Sequence, residues 1–315
     1  CDVEHVLPIV LNCLTSTSND AGGMARYTLV TFYDNGLLKD EIVGMIVPLL
    51  KHQSAVIRAQ AVGTLGDLAE LGCDISSTLP QIAMLCSNDR TQAAAMFAIR
   101  VAVNKGNALV PMLPMMATAM CESKCRGMSD AFWAIQTANN RGEDISAVID
   151  VLGKLSFSSK HRQTAVPHLR RAAEKGFSLV SARIGLKKAM KDDSGFIRQE
   201  ATIALTLDYL KSKEWEAAIA LLNNTKSETR ANSINALDTF TRRDNCSKIL
   251  LEAVMRNLKD DRWWVVNSST KIVKRIIKSN RKLAEKASVF LEKLISQNKD
   301  VQQLRKKCRS ILAKN

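Results

Sequence analysis

The sequence predicts an all-α protein of about nine stacked helical hairpins, and three observations carry that prediction. Apolar residues recur at spacings of three and four through most of the 315 residues, which places them on one stripe of each helix. Glycines stand just past such patterns at Gly36, Gly72, Gly106, Gly142 and Gly176. They return about every 35 residues, the period of a helical repeat array. A second, polar break falls within each period, at the joint between two helices.

The stretch from Glu41 to Gly72 shows one unit whole. Ile42, Met45, Ile46, Leu49 and Leu50 stripe a first helix, with Pro48 inside it. Val56, Ile57, Ala61, Val62, Leu65, Leu68 and Ala69 stripe a second, which stops at Gly72. A lone hairpin cannot bury both stripes, so each unit needs copies of itself on either side. Joints of the same kind recur at Thr15 to Asp20, His52 to Ser54, Ser87 to Asp89, Glu122 to Lys124, Ser156 to Ser159, Lys191 to Ser194, Thr225 to Glu228, Lys259 to Asp261 and Asn298 to Asp300. Their Ser, Thr, Asn and Asp residues suit the start of the following helix by accepting its free amide hydrogens. The glycines suit the left-handed cap at a helix end. Beyond Gly176 the same role falls near Ser212, then to Asn245 and Asn280.

Composition agrees with a packed helical chain. Hydrophobic residues make up 46% and charged residues 24%, aromatic content is 5%, and there are 6 prolines, a balance that favours helix over sheet. No apolar run approaches the roughly 20 residues of a membrane span. The chain begins at Cys1 with no initiator Met, and is read as part of a longer one. Its eight cysteines are scattered singly and suit small hydrophobes in a reducing, intracellular compartment, cytoplasmic or nuclear.

The joints also carry a family resemblance. MIVPLLKHQSAVIRAQAVGTLGDL, GLKKAMKDDSGFIRQEATIALTLDYL and LISQNKDVQQLRKKCRSIL resemble HEAT repeats: a first helix, a polar turn, then an aliphatic residue, an Arg and an Ala. The matching residues are Val56, Ile57, Arg58 and Ala61, then Ile197, Arg198 and Ala201, with a looser match at Leu304 and Arg305. Pro8, Pro48, Pro80 and Pro114 resemble the first-helix proline of that family, whereas Ser233 to Ala236 and Trp264 to Val266 keep the helical pattern without the Arg. The armadillo family is not separable from it here. The resemblance implies one continuous repeat domain over residues 1–315, wound as a right-handed superhelix with the second helices on a concave face. It implies scaffolding or ligand recognition far more often than catalysis, by analogy alone.

No catalytic, cofactor or metal constellation emerges from the residues. Cys121 and Cys125 lack the second close pair that a zinc site needs, and His161 and His168 lie two turns apart on a helix with Arg162, Arg170 and Arg171, read as a basic solvated face. Trp263 and Trp264 follow Asp260 and Asp261. HEAT-like DNA glycosylases use Trp and Asp on a basic surface, which makes that activity a remote alternative. At this joint the Asp pair suits a helix cap, and at least one Trp is expected in the core.

Charge is the strongest functional signal. Residues 262–315 hold 15 Lys and Arg against 3 Asp and Glu, and so nearly all of the net +14. At 100° per residue, Lys271, Lys274, Arg275, Lys278, Arg281 and Lys282 fall within about a 120° arc of a helix from about Trp263 to Asn280, opposite Val265, Val266, Ile272, Val273, Ile276 and Ile277. Those six, with Arg305 and Lys306, are the candidate residues for an acidic protein or peptide partner. Phosphate-backbone binding of nucleic acid is the alternative. A milder basic group includes Lys154, Lys160, Arg162, Arg170, Arg171, Lys175, Arg183, Lys187, Lys188 and Lys191. The N-terminal hairpin, apolar at Cys1, Val3, Val6, Leu7 and Val10, is a second surface for packing.

Overall fold

The computed structural model describes residues 3–37, 41–122, 124–241, 248–279, 281–294 and 298–313. Cys1, Asn245, Cys246, Asn280 and Lys314, which enter the sequence reading, lie outside them. The chain divides into two compact units, residues 1–151 and 152–315.

The first unit is a series of antiparallel hairpins. α1 (Val3–Leu14) pairs with α2 (Asn19–Asp34), and α3 (Ile42–Ile46), continued by a 3₁₀ stretch over Val47–Lys51, pairs with α4 (Ala55–Glu70). α5 (Leu79–Met84) pairs with α6 (Gln92–Asn104), α7 (Leu113–Met120) with α8 (Met128–Arg141), and α9 (Ser146–Leu155) holds the division. In the second unit α10 (Arg162–Lys175) is followed by the pairs α11 (Arg183–Ala189) and α12 (Gly195–Lys211), α13 (Trp215–Leu222) and α14 (Ser227–Thr241), α15 (Lys248–Arg256) and α16 (Trp263–Ser279), and α17 (Arg281–Lys293) and α18 (Lys299–Leu312). No strand occurs among the described residues.

Second helices form the main layer of each unit. α2, α4, α6 and α8 pack in succession in the first, and α10, α12, α14, α16 and α18 in the second. A helix with a neighbour on both flanks and its own first helix beneath has little surface left, so α4 and α12 are buried almost all round. The inner positions are therefore small: on α4, a Cβ at Gly63 would run into Arg26 and one at Gly66 would lie 2.6 Å from Phe97. The α1 face is less covered, with Val3, Val6 and Leu7 half-buried and Ile9 exposed.

The five periodic glycines all take the left-handed conformation, with φ from +81° to +109°. Ser212 does not. It stays helical at φ −76°, and Lys213 next to it takes φ +61°. Gly127, outside the periodic set, is also left-handed and starts α8.

First helices approach one another through glycine where α9 meets α11. A Cβ on Gly153 would sit 2.6 Å from Ala182 Cα, a backbone atom that cannot swing away. Gly153→Ala is expected to destabilise the chain by about 2 kcal/mol through overpacking. Gly23→Ala on α2, where nothing lies within 4 Å, should instead stabilise it by up to about 1 kcal/mol from helix propensity. Urea unfolding of the two variants checks both signs.

Candidate functional site

Most of this protein's arginines are occupied in holding hairpins together, and that decides where a binding site can lie. The last carbonyls of each first helix have no partner within the helix. At four joints an arginine on the following second helix reaches back to carbonyls of the joint just past that helix end. Arg58 donates to the carbonyls of His52 and Gln53 at 2.7 and 2.8 Å. Arg162 donates to Ser156 and Phe157 at 2.7 and 2.9 Å. Arg198 donates to Asp192 and Asp193, both at 2.8 Å, and Arg230 to Asn224 and Thr225 at 2.8 and 2.9 Å.

Three of these arginines also bind an acid 30 residues further on, in the next hairpin. Arg162 pairs with Asp192, Arg198 with Glu228 at 3.1 Å, and Arg230 with Asp260 at 2.6 Å. The first unit has its own ties, Arg26 to Asp67 at 2.5 Å and Arg100 to Asp130 at 2.7 Å. A second series ties the ends of successive second helices. Arg141 donates to the Val103 carbonyl at 2.7 Å, Lys211 to the Ala173 carbonyl, and Arg275 to the Asp238 carbonyl at 3.2 Å and its carboxylate at 2.7 Å. These cations meet the negative end of the helix dipole.

In the basic group around α10 and α11, Arg162, Arg170 and Arg183 are internal to the fold, while its lysines are exposed. Besides Arg162, Arg170 pairs with Glu200 at 2.7 Å and Glu174 at 2.9 Å, and Arg183 with Asp208 at 2.6 Å and Glu214 at 2.7 Å. Lys188 lies over the Phe157 ring. His168 is buried, its Nδ1 2.8 Å from the Thr164 carbonyl, rather than on the solvated face expected for it. Arg230 and Arg162 fill the Arg position that the sequence reading left empty or placed on the surface. The signal was there in their place, six residues after the joint residue and one hairpin before an acid.

The eight candidate residues separate into four groups. Lys271, Lys274 and Lys278 lie on α16, opposite the buried Val265, Val266, Ile272, Val273, Ile276 and Ile277, as the arc predicts. Arg275 and Arg305 are engaged. Arg305 donates to the Leu291 and Leu294 carbonyls, both at 2.6 Å. Arg281 and Lys282 are not on the α16 stripe, because α16 ends at Ser279 and both belong to the first turn of α17. Arg281 there pairs loosely with Glu285 at 3.8 Å. Lys306 is exposed on α18.

What the structure assembles is a groove between α16 and α18. Lys274, Arg275 and Lys278 line it from one side and Gln303 and Lys307 from the other, around about 560 Å³. A smaller groove of about 440 Å³ runs between α14 and α16, where Lys271 faces Asn235 and Asp238. Among the described residues, Lys271, Lys274, Lys278 and Lys307 have no carboxylate within ion-pair distance. Lys307 was not among the eight, since it adjoins the stripe only through packing of α18.

Both tryptophans at the start of α16 are exposed, Trp263 by 66% and Trp264 by 42%, contrary to the expectation that one is core. Their rings meet edge to face at 6.2 Å, and Arg262 lies over Trp264. Asp260 accepts the Arg262 amide hydrogen at 3.1 Å in addition to Arg230. Three thiols are poor nucleophiles: burial pushes Cys86 up to about 12, and Cys125 and Cys308 up to about 11.

Stacked hairpins with a basic groove between second helices define a helical-repeat solenoid. Among solved structures the chain is similar to Kap121p, with a TM-score of 0.53 and 11% identity over 98% of this chain and 37% of Kap121p. It thus spans well under half the length of that protein, and the likeness is one of fold. An engineered protein aligns over 96% of this chain with a TM-score of 0.40 and 15% identity. No family model and no curated protein matches. No helix among the described residues is long and apolar enough to cross a membrane.

Arg230→Ala is expected to cost about 3 kcal/mol, because it strands the buried Asp260 carboxylate and two carbonyls. Arg230→Lys should recover little of it, since an ammonium cannot fork between them; urea midpoints measure both. The Arg162 guanidinium, and then the Ser194 N–H, hold the Asp192 carboxyl below its ordinary range. A depressed carboxylate gives its full stability above its unfolded pKa of about 3.9 and loses it as pH falls through the folded value. Thermal melts between about pH 5 and pH 2 should accordingly be less acid-sensitive in Asp192→Asn than in the parent protein.

Proposed function

We propose that this chain is a non-catalytic repeat scaffold that binds an acidic polypeptide segment in the groove between α16 and α18. One observation carries the reading: Lys274, Lys278 and Lys307 converge on that groove without described carboxylate partners, in a protein whose arginines are repeatedly matched to acids. Three ammonium groups brought together repel one another, and an anionic guest relieves that repulsion. Lysine suits such a guest, because a hydrated point charge on a flexible stem adapts to a segment of varied geometry. A reducing compartment, cytoplasm or nucleus, fits the free cysteines.

The test is fluorescence anisotropy of a labelled Glu-rich peptide against the intact chain and against Lys274→Gln/Lys278→Gln/Lys307→Gln. Exposed pairs are each worth about a few tenths to 1 kcal/mol, so the triple variant should weaken binding by about tenfold, and rising salt should weaken the parent likewise. Duplex DNA and structured RNA are titrated in parallel. No peptide binding at about 50 mM salt overturns the reading. Tighter binding of either nucleic acid, with a steep salt slope, replaces it with phosphate-backbone recognition.

A further inference from the structure

The joint between α15 and α16 differs from those that an arginine closes. At His52, Asp192 and Asn224 the joint side chain accepts the amide hydrogen two residues on, and the arginine six residues on covers the joint carbonyls. Asp260 makes the same turn, but six residues on stands Val266. Where the guanidinium would lie there is a groove of about 510 Å³. Its apolar walls are Leu258, Trp263, Val266 and Leu294, and Lys259, Lys293, Asp260, Asp261 and Asn298 also line it.

This groove and the lysine groove both border α16, and the first reaches the residue that caps α18. The first touches Val266 near the start of α16 and Asn298 at the start of α18; the second touches Lys274 and Lys278 on α16 and Gln303 and Lys307 on α18. At 100° per residue, Trp263, Asn267, Lys271, Lys274 and Lys278 fall within an arc of about 80° on α16. An exposed strip thus runs along one helix, aromatic at its N-terminal end and cationic towards its C-terminal end.

We infer that the α16–α18 groove is a two-part site for an acidic segment with one aromatic or aliphatic anchor, the anchor seated over Val266 and Trp263 where arginines close other joints. This rests on the acidic-partner reading above and adds the anchor to it. An arginine guest does not fit. The acid that receives Arg162 and Arg230 at this place, as Asp192 and Asp260, is Asn298 here, and its oxygen already accepts from Asp300. Of the two carboxylates along the groove, Asp260 is already held by Arg230, and Lys259 and Lys293 stand beside Asp261. Val266 to Lys274 and Trp263 to Lys278 span about 12 and 22 Å of helix. That distance corresponds to about four to seven residues of extended chain between anchor and acids. A buried aromatic contact beside a charged rim is the arrangement that gives an interface its dominant energy.

The experiment compares two labelled peptides on the intact chain: a Glu run alone, and the same run with a Trp about five residues from the first Glu. The anchored peptide should bind about tenfold more tightly. Trp263→Ala and Val266→Arg should each abolish that gain and leave the unanchored peptide unchanged. Val266 is buried and its variant is checked by thermal melting; Trp263 is exposed, so its truncation stands alone if arginine unfolds the site. An anchor that adds nothing, or a gain that survives Trp263→Ala, overturns the two-part site while leaving acidic binding in place. Failure of both peptides to bind the parent protein overturns the acidic reading and this inference with it.

Discussion

A guanidinium that spans a joint, with one edge on two backbone carbonyls and the other on a carboxylate of the next hairpin, is the contact on which the hairpin stack depends. Past the end of a first helix the joint carbonyls have no helical turn to satisfy them, and they lie where the chain must reverse. Arginine has the donors, spread in a plane, to cover two of them and still reach the next hairpin. Arg198 and Arg230 do so in succession, so each joint is tied both to its own second helix and to its neighbour's. Apolar burial supplies the bulk of the stabilisation of such layers. The arginines fix the register between hairpins, because only one offset brings guanidinium and acid together.

That use of arginine divides the protein's positive charge into two populations. Arginines on the second helices are part of the internal framework, their charge cancelled by a specific acid or spread over helix-end carbonyls. The lysines of α16 and α18 have no such duty among the described residues. Net charge alone cannot distinguish them, and the group around α10 and α11 shows the consequence: it is basic in composition, yet Arg162, Arg170 and Arg183 are all held by acids. The α16–α18 groove is basic because its lysines lack partners among the described residues. Val266 marks the joint where the framework arginine is missing, and an opening of mixed lining, with Leu258, Trp263, Val266 and Leu294 among its walls, lies there.

Much of this was legible in sequence. Helix periodicity and the glycines at Gly36, Gly72, Gly106, Gly142 and Gly176 register local rules, apolar spacing and the steric freedom of a residue without Cβ, which hold wherever the chain goes. The buried arc of α16 followed from the same spacing. The cap placed near Ser212 falls on Lys213 itself, since a left-handed Lys carries no compositional signal. Trp263 and Trp264 were expected in part inside because burial of large aromatics is an average tendency, whereas their place at the exposed start of a second helix is positional.

The sequence by itself determined the class of fold, its repeat length and which face of each helix is apolar, since these depend on residues within one or two turns of each other. Only the tertiary structure decided which cations are paired. Arg230 and its acid Asp260 stand a full hairpin apart in the chain, and the Arg275 contact reaches back further still, to Asp238. Lys307 joins Lys274 and Lys278 only when α18 packs against α16. Charge is read from composition, but the potential that a partner meets depends on distances between hairpins, and packing sets those distances.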